Sequence, residues 1–263
     1  MIDRKNRYVA LIEAIFLAHY RPGDSEVSFG REELVSTAKS LGIDLPKNLG
    51  DVVYSFRYRV PLPETIAKRA AQGMTWAIKG VGRSLYRFVQ VKHCRIEPDA
   101  FMMPIKVPNA TPEILLANAF NDEQALLAKI RYNRLVDLFL EMTAHSLQNH
   151  LRTTVKDIGQ IEIDELYVGI NKRGRQFVVP VQAKTRNDRH GVVQTEQDIA
   201  FCRERFPAMI CRPVSVHALD DNRIVFFELT MDNGGICIVD QKHYILVPSS
   251  DISAADLERY ANS

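Results

Sequence analysis

Ile161-Glu162-Ile163-Asp164-Glu165-Leu166-Tyr167-Val168-Gly169, the charged turn Asn171-Lys172-Arg173-Gly174-Arg175, and Phe177-Val178-Val179-Pro180-Val181-Gln182-Ala183-Lys184 decide how this chain is read. Side chains alternate across a strand, so Ile161 and Ile163 share one face while Glu162 and Asp164 share the other. The second run repeats the pattern, with Gln182 and Lys184 on a common face. Folded back as a hairpin, the two strands converge Asp164, Gln182 and Lys184 on one exposed patch. A carboxylate and an amide carbonyl are hard oxygen ligands of the kind Mg²⁺ takes. An ammonium beside them can orient water or offset charge developing on a phosphate. Phosphodiester hydrolysis needs that set; an ordinary two-stranded surface with charged outward residues is the other reading.

Upstream, residues 113–150 read as the longest helical region, two helices joined near Asn121. Leu126, Leu127, Ile130, Leu135, Leu138 and Phe139 form its apolar stripe, with Arg131 and Arg134 interleaved. His145 and His150 are then five apart on a helix, the wrong interval for a shared metal face. Downstream, a helix is expected from Gln194 to Arg205, ending before Pro207, with further strands at 214–218, 224–229 and 236–239. A helix, a three-stranded meander, a helix and more strands make an α/β domain.

The first third reads differently. Val9, Ile12, Ile15, Phe16 and His19 recur at helical spacing, and Pro22-Gly23 ends that helix. Ser28 is placed to cap a second helix that stops near Gly42. A third begins near Asn48 and is ended by Pro61 and Pro63, and 64–71 form a fourth, short one. Met74 to Lys79 and Ser84 to Val91 then read as two strands around Gly80-Val81-Gly82. Short helices followed by a hairpin are the pattern of a small winged-helix-like α+β domain, in which one helix enters the major groove of DNA. Arg57, Arg59, Lys68, Arg69, Lys79 and Arg83 lie on or near these elements, either as DNA contacts or as the solvated basic face of a helical cap. Residues 1–92 hold 15 Lys and Arg against 9 Asp and Glu, whereas residues 191–263 hold 6 against 11. That polarity points the N-terminal third toward a polyanion. Residues 93–112, with Pro98, Pro104, Pro108 and Pro112, read as a linker to a second domain at 113–263.

Composition excludes several classes. Apolar residues make up 46% of the 263 and charged residues 25%, ample for a core and unlike a disordered chain. No apolar run approaches the ~18 residues of a membrane span, and the four cysteines form neither a disulfide framework nor a CxxC zinc motif. A soluble cytoplasmic protein is expected, without membrane contact. There is no Gly-x-Ser-x-Gly elbow and no phosphate-binding Gly-x-x-x-x-Gly-Lys-Ser/Thr loop.

The Asp164…Gln182-x-Lys184 pattern, set in that order of elements, resembles the PD-(D/E)xK nuclease superfamily over roughly residues 123–240. Asp164 matches its first acid and Lys184 its lysine. Gln182 departs from the usual acid, removing one negative charge, and is similar to the Gln-x-Lys variant of methylation-dependent restriction enzymes. The resemblance implies a restriction-endonuclease-like mixed sheet flanked by helices. It implies a Mg²⁺-dependent endonuclease, with Mn²⁺ as substitute, that cuts double-stranded DNA, most simply a restriction enzyme. Asp164, Gln182 and the Ala183 carbonyl would hold the metal, and Lys184 would stabilise charge or position water. Glu141, 23 residues before Asp164, is the helix glutamate the family often brings to the metal, or else an exposed one. Gln194 and Gln197 would lie near the scissile phosphate, or else are solvated helix polars. Cutting both strands implies a homodimer. A structure-specific repair or junction nuclease is the alternative within the class, and a non-catalytic winged-helix regulator with a decayed nuclease fold is the alternative outside it.

Overall fold

The computed structural model describes residues 4–58, 60–82, 84–92, 94, 96–118, 122–185, 190–232 and 235–261. The chain begins with α1 (Arg4–His19), β1 (Glu26–Gly30), α2 (Arg31–Leu41), α3 (Gly50–Tyr58) and α4 (Glu64–Ala67), followed by the hairpin β2 (Met74–Gly82) and β3 (Leu85–Lys92). The three strands form an antiparallel sheet in the order β1-β3-β2. Ile12, Ile15 and Phe16 of α1, Val52 of α3 and Trp76, Ile78 and Phe88 of the sheet are buried together, with Phe16 edge-on to both Trp76 and Phe88.

Strand β1 is absent from the expected elements. Ser28, expected as a helix cap, lies in its middle and accepts a hydrogen bond from Arg87 Nε. Gly30 caps α2 instead, its N–H donating to Glu33 Oε1 at 2.7 Å. Only Val27 and Phe29 turn inward from this strand, too few for a period to stand out. Asn48 does lead into α3, accepting the Gly50 N–H at 3.1 Å.

The remainder runs β4 (Ile105–Pro108), α5 (Glu113–Ala117), α6 (Asp122–Tyr132), α7 (Leu135–Leu140), β5 (Thr143–Val155), β6 (Gly159–Ile170), β7 (Gln176–Lys184), α8 (Val192–Arg205), β8 (Ile210–Cys211), β9 (Val214–Ala218), β10 (Arg223–Asp232), β11 (Gly235–Val247) and α9 (Ala254–Ala261). These strands build one mixed sheet in the order β4-β11-β10-β9-β7-β6-β5, with β8 beside β7. Helices flank it. Leu126, Leu127 and Ile130 of α6 and Phe139 of α7 pack on Val179, Val181, Val216 and Phe226 from one side. Phe201 and Cys202 of α8 pack on Ile161, Ile163 and Val178 from the other.

Two expectations change. The linker contains β4, which pairs in parallel with β11 from Ile105↔Tyr244 to Pro108↔Val247. The helical region stops at Glu141, whose left-handed φ of 52° ends α7, and residues 143–155 are β5. His145 and His150 therefore sit on a sheet-edge strand, most of whose side chains are exposed. An edge strand open to water carries little apolar alternation, which is why its pattern passes for helix.

The hairpin of the first sheet touches the second. Lys79 of β2 forms an ion pair with Glu196 of α8. Gly80 lies so close to the β5–β6 turn that a Cβ there would stand 2.8 Å from the Ile158 carbonyl. Among the described residues no helix is long and apolar enough to cross a membrane.

Candidate functional site

Along β6 the alternation breaks. Ile161, Ile163 and Leu166 all pack in the cluster under α8, whereas Tyr167 packs in the cluster under α6 and α7. Ile163 and Leu166 are an odd number of residues apart, so the phase shifts between them. Asp164 and Glu165 occupy the shift, where the described β6–β7 register ends at Glu165↔Val181. Asp164 turns edge-on to the neighbouring strand, and its Oδ2 accepts the Ala183 N–H at 2.7 Å.

In β7, Val181 and Ala183 face α6 and α7, so Gln182 faces α8 and is fully buried. Its Nε2 donates to the Glu162 carbonyl at 3.0 Å and to the two Asp198 carboxylate oxygens at 3.0 and 3.3 Å. Its Oε1 accepts from Gln194 Nε2 at 2.6 Å. Parallel pairing with β9 sets Ser215 beside Gln182 and His217 beside Lys184, and the Ser215 hydroxyl bonds His217 Nε2 at 2.9 Å. His190, at the entrance to α8, bonds the Thr195 hydroxyl, and its Nδ1 is buried without a hydrogen-bond partner.

Asp164 is thus held to Ala183 and feels the charge of Lys184, while Gln182 turns to Asp198 and Gln194; the exposed patch expected of the trio is instead a largely buried place beside α8. Asp164 is only 9% exposed and Gln182 not at all, with Lys184 half-buried. Burial pushes the Asp164 carboxyl up to about 6; Lys184 and the Ala183 N–H oppose that, and Glu123 and Glu162 add to it. Burial also raises Asp198 well above the usual carboxylate range. Burial and then the charge of Lys184 lower His217 to about 4 and His190 well below the usual imidazole value. Both imidazoles are therefore neutral hydrogen-bonding groups around an ammonium.

No protein-family model, curated protein or solved structure matches the chain. Its function has to be read from this geometry.

Among the described residues no three His, Cys, Asp or Glu side chains converge on a common point. Asp164 is one carboxylate among neutral oxygens, those of Gln182 and the adjoining backbone. Mg²⁺ commonly takes one or two carboxylates and completes its octahedron with water. The donor set fits such an ion, held loosely.

Glu141 is not brought to the cluster. It is exposed at the end of α7, where its charge is felt by Tyr244 of β11. Thr143, two residues on, pairs with Ile170, six residues along β6 from Asp164, or about 20 Å at strand rise. Glu123, in the first turn of α6, is the helix glutamate whose charge reaches Asp164. An acidic first turn is ordinary at any helix start, so nothing in the sequence singles it out.

Gln194 and Gln197 both turn inward, Gln194 onto Gln182 and Gln197 to 5% exposure, and neither is a solvated helix polar. The basic candidates are engaged within the chain. Lys79 pairs with Glu196, Arg131 with Glu165 and Asn149, and Arg134 with Asp137. Arg57 approaches Gly80 and Gly191 at the junction of the two sheets. Arg59 and Arg83 lie outside the described residues.

Asp198, Ser215, His217 and His190 join the cluster without having been sequence candidates. Asp198 follows Gln194 by four residues and so shares its helix face. Val214-Ser215-Val216-His217 alternates as Val181-Gln182-Ala183-Lys184 does, a period-two signal that could have found it. Two surface clefts, one under Arg203 and Phe206 and one beside Arg134 and His145, are lined by none of the trio.

Proposed function

We propose that the protein is a metal-dependent nuclease of the PD-(D/E)xK type acting on double-stranded DNA, with a restriction endonuclease as its biology. The observation that carries this is the bond from the Ala183 N–H to Asp164, which holds the carboxylate at the Gln182-Ala183-Lys184 segment. The order α6–α7, β5–β6–β7, α8, β9, with β9 parallel to β7, supports a restriction-endonuclease-like core. Helix, strand, three helices and a hairpin, with β3 central in the small sheet, support a winged-helix-like DNA reader.

Asp164, Gln182 and the Ala183 carbonyl would hold Mg²⁺ or Mn²⁺. The ion would polarise the phosphate and acidify the attacking water. Asp164 must shed its proton to take part, and Gln182 must exchange the amide of Gln194 for the ion. Lys184 places its ammonium where charge grows on the phosphate oxygens. Two such sites, and so a homodimer, are needed to cut both strands.

A second reading draws on the same amide. Gln182 Oε1 is already satisfied by Gln194, the state of a site that binds no metal, so a non-catalytic DNA-binding regulator is the rival. Incubation with plasmid and with branched DNA, in Mg²⁺ or Mn²⁺, separates the readings. Discrete fragments support the restriction enzyme and cutting confined to branches a junction nuclease. DNA binding without cutting supports the regulator.

A further inference from the structure

We infer that Asp198 and Gln182 act as one unit, in which Asp198 accepts from the Gln182 amide and helps fix it with its oxygen turned toward the Gln194 side. Asp198 is thus a positioning residue for the ligand Gln182. For its metal and cleavage readouts the inference rests on the nuclease reading; for the pairing itself it rests on geometry alone.

An amide can be turned end for end, and its surroundings decide which end is which. Around Gln182 one end faces three acceptors: the Glu162 carbonyl and both oxygens of Asp198. Only an NH₂ group satisfies them. The other end meets the Gln194 amide, which donates to it. Reversing Gln182 would set its oxygen against three oxygens in a fully buried site, an arrangement that leaves several buried groups unpaired. The carbonyl orientation is therefore imposed by the Glu162 carbonyl and Asp198 together, Asp198 itself being 1% exposed. The Asp198 carboxyl sits one layer back, on α8, and touches the strand through the amide.

A pair of this kind has a symmetric alternative. Gln182→Glu alone places two carboxyls against each other. Asp198→Asn alone exchanges one of the two carboxyl oxygens for an NH₂ group and weakens the three-acceptor wall. The double variant Gln182→Glu/Asp198→Asn restores one carboxyl and one amide in contact. Four full-length proteins are compared for unfolding midpoint, for the rise in that midpoint on adding Mg²⁺ or Mn²⁺, and for cleavage of plasmid. Each single variant should unfold at lower temperature, and Asp198→Asn should need ~10- to 100-fold more metal, the usual effect of removing a partner that orients a ligand. The double variant should recover the midpoint and the metal response.

Losses in the double variant that equal the sum of the two singles overturn the inference, as does a metal response untouched by Asp198→Asn. If a single variant fails to fold, wild type against double still decides, because an uncoupled pair gives a double no better than the worse single. If the midpoint and the metal response recover but no protein cuts DNA, the pairing stands and the nuclease reading is what fails.

Discussion

Asp164 takes the Ala183 N–H across the gap between β6 and β7 at 2.7 Å, a bond between a side chain and the neighbouring strand's backbone. Beyond Glu165↔Val181 the described pairing of the two strands ends, so the carboxylate takes over from the ladder at the place where the strands part. Three expectations come from that bond and its neighbours, and a fourth from the junction of the two sheets.

Asp164→Ala and Lys184→Ala should each lower cleavage by ~10²-fold or more, the order lost when a preorganised electrostatic group is removed. DNA binding measured by filter retention should be nearly unchanged. Cleavage at the wild-type rate in either variant would remove both residues from the site.

The pH dependence follows from the raised carboxyl. Asp164 ionises only as pH passes about 6, so cleavage should fall on the acid side with a midpoint near there. Metal competes with the proton, and the limb should therefore move to lower pH as Mg²⁺ is raised. A limb that ignores Mg²⁺ would point to some other titrating group.

The same carboxyl bears on stability. Asp164 ionises near 3.8 when unfolded and at about 6 when folded; the folded state holds its proton more tightly, and stability falls as pH rises from about 4 to 6 and stays lower above. The cost at high pH is of order 3 kcal/mol, since each tenfold gain in proton affinity is worth about 1.4 kcal/mol. Asp164→Asn, which can still accept the Ala183 N–H, should therefore unfold at a higher temperature than wild type at pH 8. The gain should vanish toward pH 4, a trend that calorimetry across that range would detect.

Gly80→Ala tests the junction of the two sheets. A methyl at this position would lie 2.8 Å from the Ile158 carbonyl, closer than carbon and oxygen tolerate, and overpacking of this kind costs about 1–3 kcal/mol. Limited proteolysis should cut the variant faster between residues 92 and 105, where the small sheet hands over to the large one. Equal cutting rates would mean that the hairpin does not bear on the β5–β6 turn in solution.

Local sequence is enough for some of this. Residues 177–181 form a continuous apolar run that ends in the alternating Val181-Gln182-Ala183-Lys184, and β7 spans both. Pro207 and the polar run before it bracket α8, which ends at Arg205. That Asp164 comes near the Gln182–Lys184 run is legible because two strands joined by a short turn pair antiparallel, but its bond to Ala183 depends on the phase shift at Asp164 and Glu165, which no count predicts. Tertiary structure decides the rest. Whether Gln194, Gln197 and Asp198 face water or core depends on what lies under α8, and period alone cannot separate a polar face that is solvated from one that is buried against partners. Glu123 and Glu141 are equally good helix glutamates in sequence, and only the path of α6 and α7 across the sheet selects between them. Lys79 and Arg131 look like free cations in a charge count, yet each meets a carboxylate more than thirty residues away. Ser215 and His217 reach the cluster because β9 lies parallel to β7, a neighbour relation set by a crossover through α8 and not by any local pattern. Backbone conformation is chosen within a few residues, whereas burial and electrostatic environment are sums over groups that only folding brings together.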